Sequence, residues 1–238
     1  MEIENKKDGE IVVPGELLAK GLDFLPGSGT FRDKETIWSK RMGLVRLKSS
    51  VVTVVPLSGV YIPTTGDGVI CTISDVQANF WLADINSPYE ARLFVFDLDE
   101  YVNLERSDMT DYFNIGDVVY IRISNVTKKM DVRLTMKHRM CRKLEGGNII
   151  TVSPTKVPRL IGKGGSMIEM IKRGTGCHII VGQNGIVWLK GDNEKTAVDA
   201  IRMVERESHL GGLTERVAKF LGVNVEEVMK NEGTETDF

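Results

Sequence analysis

Residues 159–181 read RLIGKGGSMIEMIKRGTGCHIIV, and the architecture of the C-terminal half turns on that stretch. An apolar pair, Leu160 and Ile161, runs into Gly162-Lys163-Gly164-Gly165, and an amphipathic run of helical spacing follows from about Ser166. Three glycines and a lysine at the mouth of a helix have two readings. The plain one is a tight helix–helix turn. The other is a loop that lets a phosphate backbone lie against bare main chain. Glycine removes the side-chain obstruction, and a helix start offers unpaired N–H groups and the positive end of a dipole.

The flanking elements favour the second reading. GNIITVSP (147–154) has the character of a strand, VPRLIG (157–162) of a short helical turn, and SMIEMIKRGT (166–175) of a helix. CHIIV (177–181) and IVWLKG (186–191) read as paired strands across an Asn-Gly hairpin signal in QNG. Asp192 is placed to cap a long helix over NEKTAVDAIRMVERES, with Ala197, Ala200, Ile201 and Val204 at helical spacing. The order is β-α-α-β-β-α. Charge clusters here too: residues 156–173 hold the cations Lys156, Arg159, Lys163, Lys172 and Arg173 against one anion, Glu169. The Gly162–Gly165 loop resembles the GXXG loop of a KH domain, which clamps about four nucleotides of single-stranded nucleic acid. A nucleotide-binding P-loop is excluded, because its spacing requires glycine at 157 and Ser or Thr at 164, where Val157 and Gly164 stand.

Residues 64–141 carry a second pattern, of five short strands: GDGVICTISDV, NFWLADI, EARLFVFDL, NIGDVVYIRISNV and MDVRLTMKH. In VVYIRIS the apolar Val119, Ile121 and Ile123 alternate with Tyr120, Arg122 and Ser124, which is period two. Five strands with a longer polar connection (99–114) between the third and fourth suit an OB-type barrel. The segment resembles an S1-type RNA-binding domain. That resemblance puts Trp81 where the family has an aromatic of its second strand, either stacking on a base or filling the core. An earlier exposed aromatic would fall on Ala78, and EARLFVFD lacks the histidine often found there. Arg92, Arg122, Lys128, Lys129 and Arg133 are candidates to steer phosphates by charge alone.

The remainder bounds the class. Residues 1–63 alternate short apolar runs with Gly/Pro punctuation, including a buried strand at VVTVV (51–55), and predict a small β module with little core of its own. Residues 213–238 predict a short helix, LTERVAKFLG, and an acidic end whose last six or so residues are disordered. Among the 238 residues, Cys71, Cys141 and Cys177 form no Cys-x-x-Cys pair, which argues against a disulfide framework or zinc ribbon and for a reducing compartment. With no signal-like or membrane-length apolar run, the expectation is a cytoplasmic protein without membrane contact. A net charge of −2 conceals a split: residues 142–212 carry 11 Lys/Arg against 7 Asp/Glu, and residues 64–141 carry 8 against 12.

No metal or cofactor is expected. His138, His178 and His209 show no ligand spacing and no nucleophile nearby. The one acidic candidate, Asp97-Leu98-Asp99-Glu100, has the oxygens to hold Mg²⁺ for phosphodiester cleavage, but a solvated acidic loop explains it equally. PGSGTF (26–31) reads as a turn. The expectation is therefore a non-catalytic protein.

The order β module, S1-type barrel, single KH domain strongly resembles the RNA-binding cap subunit of the archaeal exosome. VVPGELLA…PGSGTF…VTVVPLSGVYIPTTGDGVI resembles that family's N-terminal text, and the likeness covers about residues 10–222. It implies the following. Three copies sit on a six-membered ring of RNase PH-like subunits, the N-terminal module (1–63) docks on the ring, and the S1 (64–141) and KH (142–212) domains guide single-stranded RNA to a phosphorolytic 3′→5′ exonuclease. A competing reading is an antitermination or elongation factor with S1 and KH domains, but those carry two KH modules and the sequence after 212 has no second one. A self-contained nuclease lacks catalytic residues.

Overall fold

The computed structural model describes residues 6–99, 108–208 and 210–223. Two compact units meet in the chain between Gly59 and Val60. The first unit is all β. Its strands are β1 (Ile11–Val12), β2 (Leu17–Lys20), β3 (Leu25–Pro26), β4 (Thr30–Asp33), β5 (Thr36–Ser39), β6 (Gly43–Lys48) and β7 (Val51–Pro56). They form two sheets, β1-β6-β7-β3 and β2-β5-β4. Contrary to the sequence expectation, the module has a core of its own, built on Val12, Leu18, Ile37, Val45, Val52 and Val54, all at most 2% exposed. Short strands with one inward residue in two bury enough when two sheets share them. The PGSGTF segment presses onto β7: a Cβ on Gly27 would lie 2.4 Å from Thr53 Oγ1, so a side chain there would part the two.

The second unit begins with the five-stranded barrel: β8 (Gly68–Val76), β9 (Phe80–Asp84), β10 (Ala91–Phe94), β11 (Val118–Val126) and β12 (Val132–Thr135). It closes because β12 pairs in parallel with β10 and antiparallel with β11. Val119, Ile121 and Ile123 fill its interior while Tyr120, Arg122 and Ser124 face outward, half-buried, as period two requires. Residues 100–107 of the long connection expected between the third and fourth strands lie outside the described residues. A short strand, β13 (Arg142–Leu144), leaves the barrel along β11.

The KH part follows as β14 (Asn148–Thr151), α1 (Val157–Ile161), α2 (Ser166–Thr175), β15 (His178–Val181), β16 (Ile186–Lys190) and α3 (Glu194–Glu207). Its sheet order is β14-β16-β15, so the last strand added sits in the centre. The expected cap on α3 is corrected: Asn193, not Asp192, occupies the N-cap position, and no side chain caps there. Helix α4 (Leu213–Leu221) buries Leu213, Val217 and Ala218 in the core that α2 and α3 share, so it extends the KH fold. The acidic end and its expected disorder lie outside the described residues.

Within this unit the barrel and the KH part are fastened by a turn. Strand β8 pairs with β9 only from Thr72 onward, which leaves its first residues without a neighbour on that side. The β15–β16 turn, Gly182-Gln183-Asn184-Gly185, takes that place. Gln183 N–H donates to the Gly68 carbonyl (2.9 Å), and fully buried Asn184 donates from Nδ2 to the carbonyls of Ile70 (2.7 Å) and Ile85 (2.9 Å). An apolar cluster of Ile70, Leu144, Ile180 and Trp188 packs beside it.

Candidate nucleic-acid interface

The glycine loop is built as the sequence suggests, though each glycine serves a different purpose. Gly162 (φ +79°) lies so close to the next helix that a Cβ would come within 2.7 Å of Met167 N. Gly164 (φ +60°) faces open space, so its requirement is backbone conformation alone. Gly165 sits left-handed at the N-cap of α2, where no side chain caps the helix, and the Ser166 N–H turns back to the Lys163 carbonyl. Lys163 is exposed at the tip of the loop.

Beside the loop runs a cleft with a volume of about 180 Å³. Ile161, Ile168, Ile179 and Val181 give it an apolar floor, and Lys172 stands on its rim. His178, also on the rim, accepts a hydrogen bond at Nε2 from Arg142 Nη2 (2.7 Å) and meets the Trp188 indole edge-on. Arginine only donates, so the ring is neutral with its proton on Nδ1. Burial, then Arg142, then Lys172 hold its pKa below the usual histidine value. Arg122, assigned from sequence to the barrel, lines the same cleft. The remaining basic residues are scattered. Arg173 is paired with Glu169 (2.9 Å), Arg159 is exposed on α1, Lys156 is half-buried ahead of it, and Lys128 and Lys129 are exposed in the β11–β12 turn.

At Trp81 the stacking alternative is corrected in favour of the core. Trp81 is 0% exposed, with its indole Nε1 donating to the Phe113 carbonyl (3.1 Å) and its ring edge-on to Phe113, so no face is open to a base. One residue earlier, Phe80 points the other way. It joins Phe94 (5.6 Å between centroids), which stacks on Phe96 (5.3 Å). Arg92 lies over Phe80 at 5.9 Å, and Arg133 over Phe96 at 4.7 Å. Aromatic faces interleaved with guanidinium groups are what a single strand requires: rings for bases, cations for phosphates. Sequence reasoning missed these phenylalanines, although alternation held the signal. In ARLFVF, buried Ala91, Leu93 and Val95 leave Arg92, Phe94 and Phe96 outside.

The acidic candidate also changes character. Asp97 is 8% exposed and binds Arg133 through both oxygens, Nε to Oδ2 at 2.7 Å and Nη2 to Oδ1 at 3.1 Å. It is a positioning group for the Arg133 that covers Phe96, not a solvated loop residue. Glu100 and His209 lie outside the described residues, and among the described residues no cluster of His, Cys, Asp or Glu fits a metal ion. Burial pushes the thiols of Cys71 and Cys141 up to about 12 and about 11, so both are protonated at neutral pH. Among the described residues no helix is long and apolar enough to cross a membrane.

Comparison with known proteins identifies the domains. Residues 9–58 match the N-terminal domain of the exosome RNA-binding protein RRP4, residues 61–146 the S1 domain of exosome complex component RRP40, and residues 147–195 a KH domain. The chain is 48% identical over 221 residues to exosome complex component Rrp4 of Thermococcus kodakarensis, covering 90% of this chain and 86% of that protein. It is 41% identical over 222 residues to the Rrp4 of Methanothermus fervidus, covering 92% and 98%. A crystal structure assigned to an exosome complex RNA-binding protein superposes with a TM-score of 0.61 at 34% identity, over 72% of this chain and 98% of that one.

Proposed function

This chain belongs to the Rrp4 family of exosome components, and from that premise we propose that it is the non-catalytic cap of the complex, holding single-stranded RNA for a ring of RNase PH-like subunits. It is an RNA-binding exosome subunit with S1 and KH domains, and its partners are RNA and other exosome subunits. The finer role, feeding RNA into the pore from up to three copies, is supported by a division of labour along the chain.

The observation that carries the reading is where the two kinds of surface lie. The glycine loop, its cleft and the Phe80–Phe96 patch all belong to the second unit. The first unit, with its independent core, instead presents a sheet face on which exposed apolar side chains surround Arg46, Thr53 and Lys48. Ile11, Leu44 and Val55 form one cross-strand row, Leu25 pairs with Val51, and Ile11, Leu25, Val51 and Val55 are 37–64% exposed. A face of mixed apolar and cationic side chains on a separate compact unit suits a protein partner, and the ring is the partner the family supplies. Several copies on one ring raise the local concentration of RNA at the pore without any catalytic group.

The test is reconstitution. The chain is mixed with an RNase PH-like ring, and co-migration on a sizing column and the rate of RNA decay are measured. The expected result is a stable complex that degrades a long single strand faster than the ring alone, with no decay by the chain alone. Replacing Gly164 and Gly165 by Asp is expected to weaken RNA capture while leaving co-migration intact. Failure to bind the ring overturns the cap role.

A further inference from the structure

The cleft beside the glycine loop has a second wall, and that wall comes from the barrel. Opposite the apolar floor of Ile161, Ile168 and Ile179 stand Tyr120 and Arg122 of β11 and Arg142 of β13. Among the described residues lining the cleft there is no carboxylate, against the basic residues Arg122, Arg142 and Lys172. Both arginines are held in place: Arg122 donates from Nε to the Gly66 carbonyl (3.0 Å), and Arg142 from Nη2 to His178 Nε2 (2.7 Å). The wall itself is fixed, because Gln183 and Asn184 bind the KH turn to Gly68 and Ile70 of β8, and Gly68 and Gln183 both line the cleft. A volume of about 180 Å³ corresponds to on the order of a dozen water-sized positions, enough for one base and too little for a stacked run.

We infer that Tyr120, Arg122 and Arg142 complete a composite site for a single nucleotide of single-stranded RNA, with its base on the KH floor against Tyr120 and its phosphate on the two arginines. The apolar floor favours a base, and cations without an opposing carboxylate favour a phosphate. This rests on the reading of Gly162–Gly165 as an RNA clamp and adds to it. A strand gripped by the loop touches the barrel at the same nucleotide, so the two domains bind as one unit instead of as beads on a string.

The experiment uses the full chain, a fluorescent oligouridylate and a salt titration of its affinity. Arg122→Gln and Arg142→Gln are each expected to lower the slope of log K against log[salt] by about 0.7, the value of one phosphate contact on a single strand. The corresponding Arg→Lys variants are expected to keep the wild-type slope. A parallel measurement needs no variant: an oligouridylate carrying 4-thiouridine is crosslinked to the wild-type chain. It is expected to label a peptide within residues 118–145 as well as one within 159–181. Unchanged slopes with crosslinks confined to 159–181 overturn the composite site and leave the loop clamp standing. If Gly164→Asp/Gly165→Asp leaves affinity unchanged, the clamp reading has failed, and the composite site with it.

Discussion

The side-chain amide of Asn184 pairs with the backbone of Ile70 as a neighbouring strand would: Nδ2 donates to the Ile70 carbonyl at 2.7 Å, and Oδ1 accepts from the Ile70 N–H at 3.3 Å. A further bond from Nδ2 reaches the Ile85 carbonyl, and Asn86 Nδ2 donates back to the Asn184 carbonyl at 3.0 Å. One residue of the KH hairpin thus completes the barrel where β9 stops short. The clamp and the barrel surface are held in one frame by this contact.

Asn184→Ala therefore leaves buried backbone groups of Ile70 and Ile85 without partners. At about 1–3 kcal/mol for each unsatisfied group, the loss is expected to be on the order of 2–5 kcal/mol. Calorimetry of the full chain checks it, with a lower melting temperature and a KH transition that separates from the barrel. A single unshifted transition would mean that the Ile70–Trp188 cluster alone holds the two parts together.

Trp81 and Phe80 are neighbours with opposite duties, and substitution separates them. Trp81→Ala empties the barrel core and is expected to cost about 3–5 kcal/mol of stability. Phe96→Ala or Phe80→Ala on the outer face is expected to leave the melt nearly unchanged while RNA affinity falls by about 1–3 kcal/mol per stacked base, roughly five-fold or more in Kd. Urea denaturation and RNA titration on the same three variants give the comparison. A stable Phe96→Ala chain with full RNA affinity would remove the patch from the binding surface.

Asp97→Asn breaks the bidentate pair that aims Arg133 over Phe96. In a reconstituted complex, RNA affinity is expected to fall several-fold while decay at saturating RNA keeps its rate. A collapse of the saturated rate would instead place Asp97 in the chemistry.

His178 gives the molecule an acid-sensitive contact. Its pKa lies below the usual 6.5 because burial, Arg142 and Lys172 all disfavour the imidazolium. In the window just below pH 6.5 the unfolded chain therefore takes up a proton that the folded chain refuses, so stability present above pH 6.5 is lost as pH falls through that window. The wild-type chain is expected to lose more stability between pH 7.5 and 5.5 than His178→Gln, read by chemical denaturation at both pH values. Equal losses would show that the Arg142–His178 bond carries no linkage.

Local chemistry made much of the chain legible. Period two placed Val119, Ile121 and Ile123 inside the barrel, helical spacing placed Ala197, Ala200, Ile201 and Val204 on the buried face of α3, and glycine chemistry located the loop at 162–165. Each of these depends on neighbours a few residues apart, which a sequence displays directly. Trp81 was open to either reading until its neighbours across the barrel were known. Alternation put Phe80 on the opposite side from it, but only the packing of Phe113 against the indole decides which of the two is inside. The tertiary structure alone decided the rest. The Gly182–Gly185 turn reads locally as a hairpin, yet Asn184 bonds to residues 114 and 99 positions away, and Arg142 reaches His178 across 36. A buried amide or a shared cleft is a property of two surfaces brought together. Its energy comes from desolvating both at once, and periodicity in either segment alone carries no trace of that.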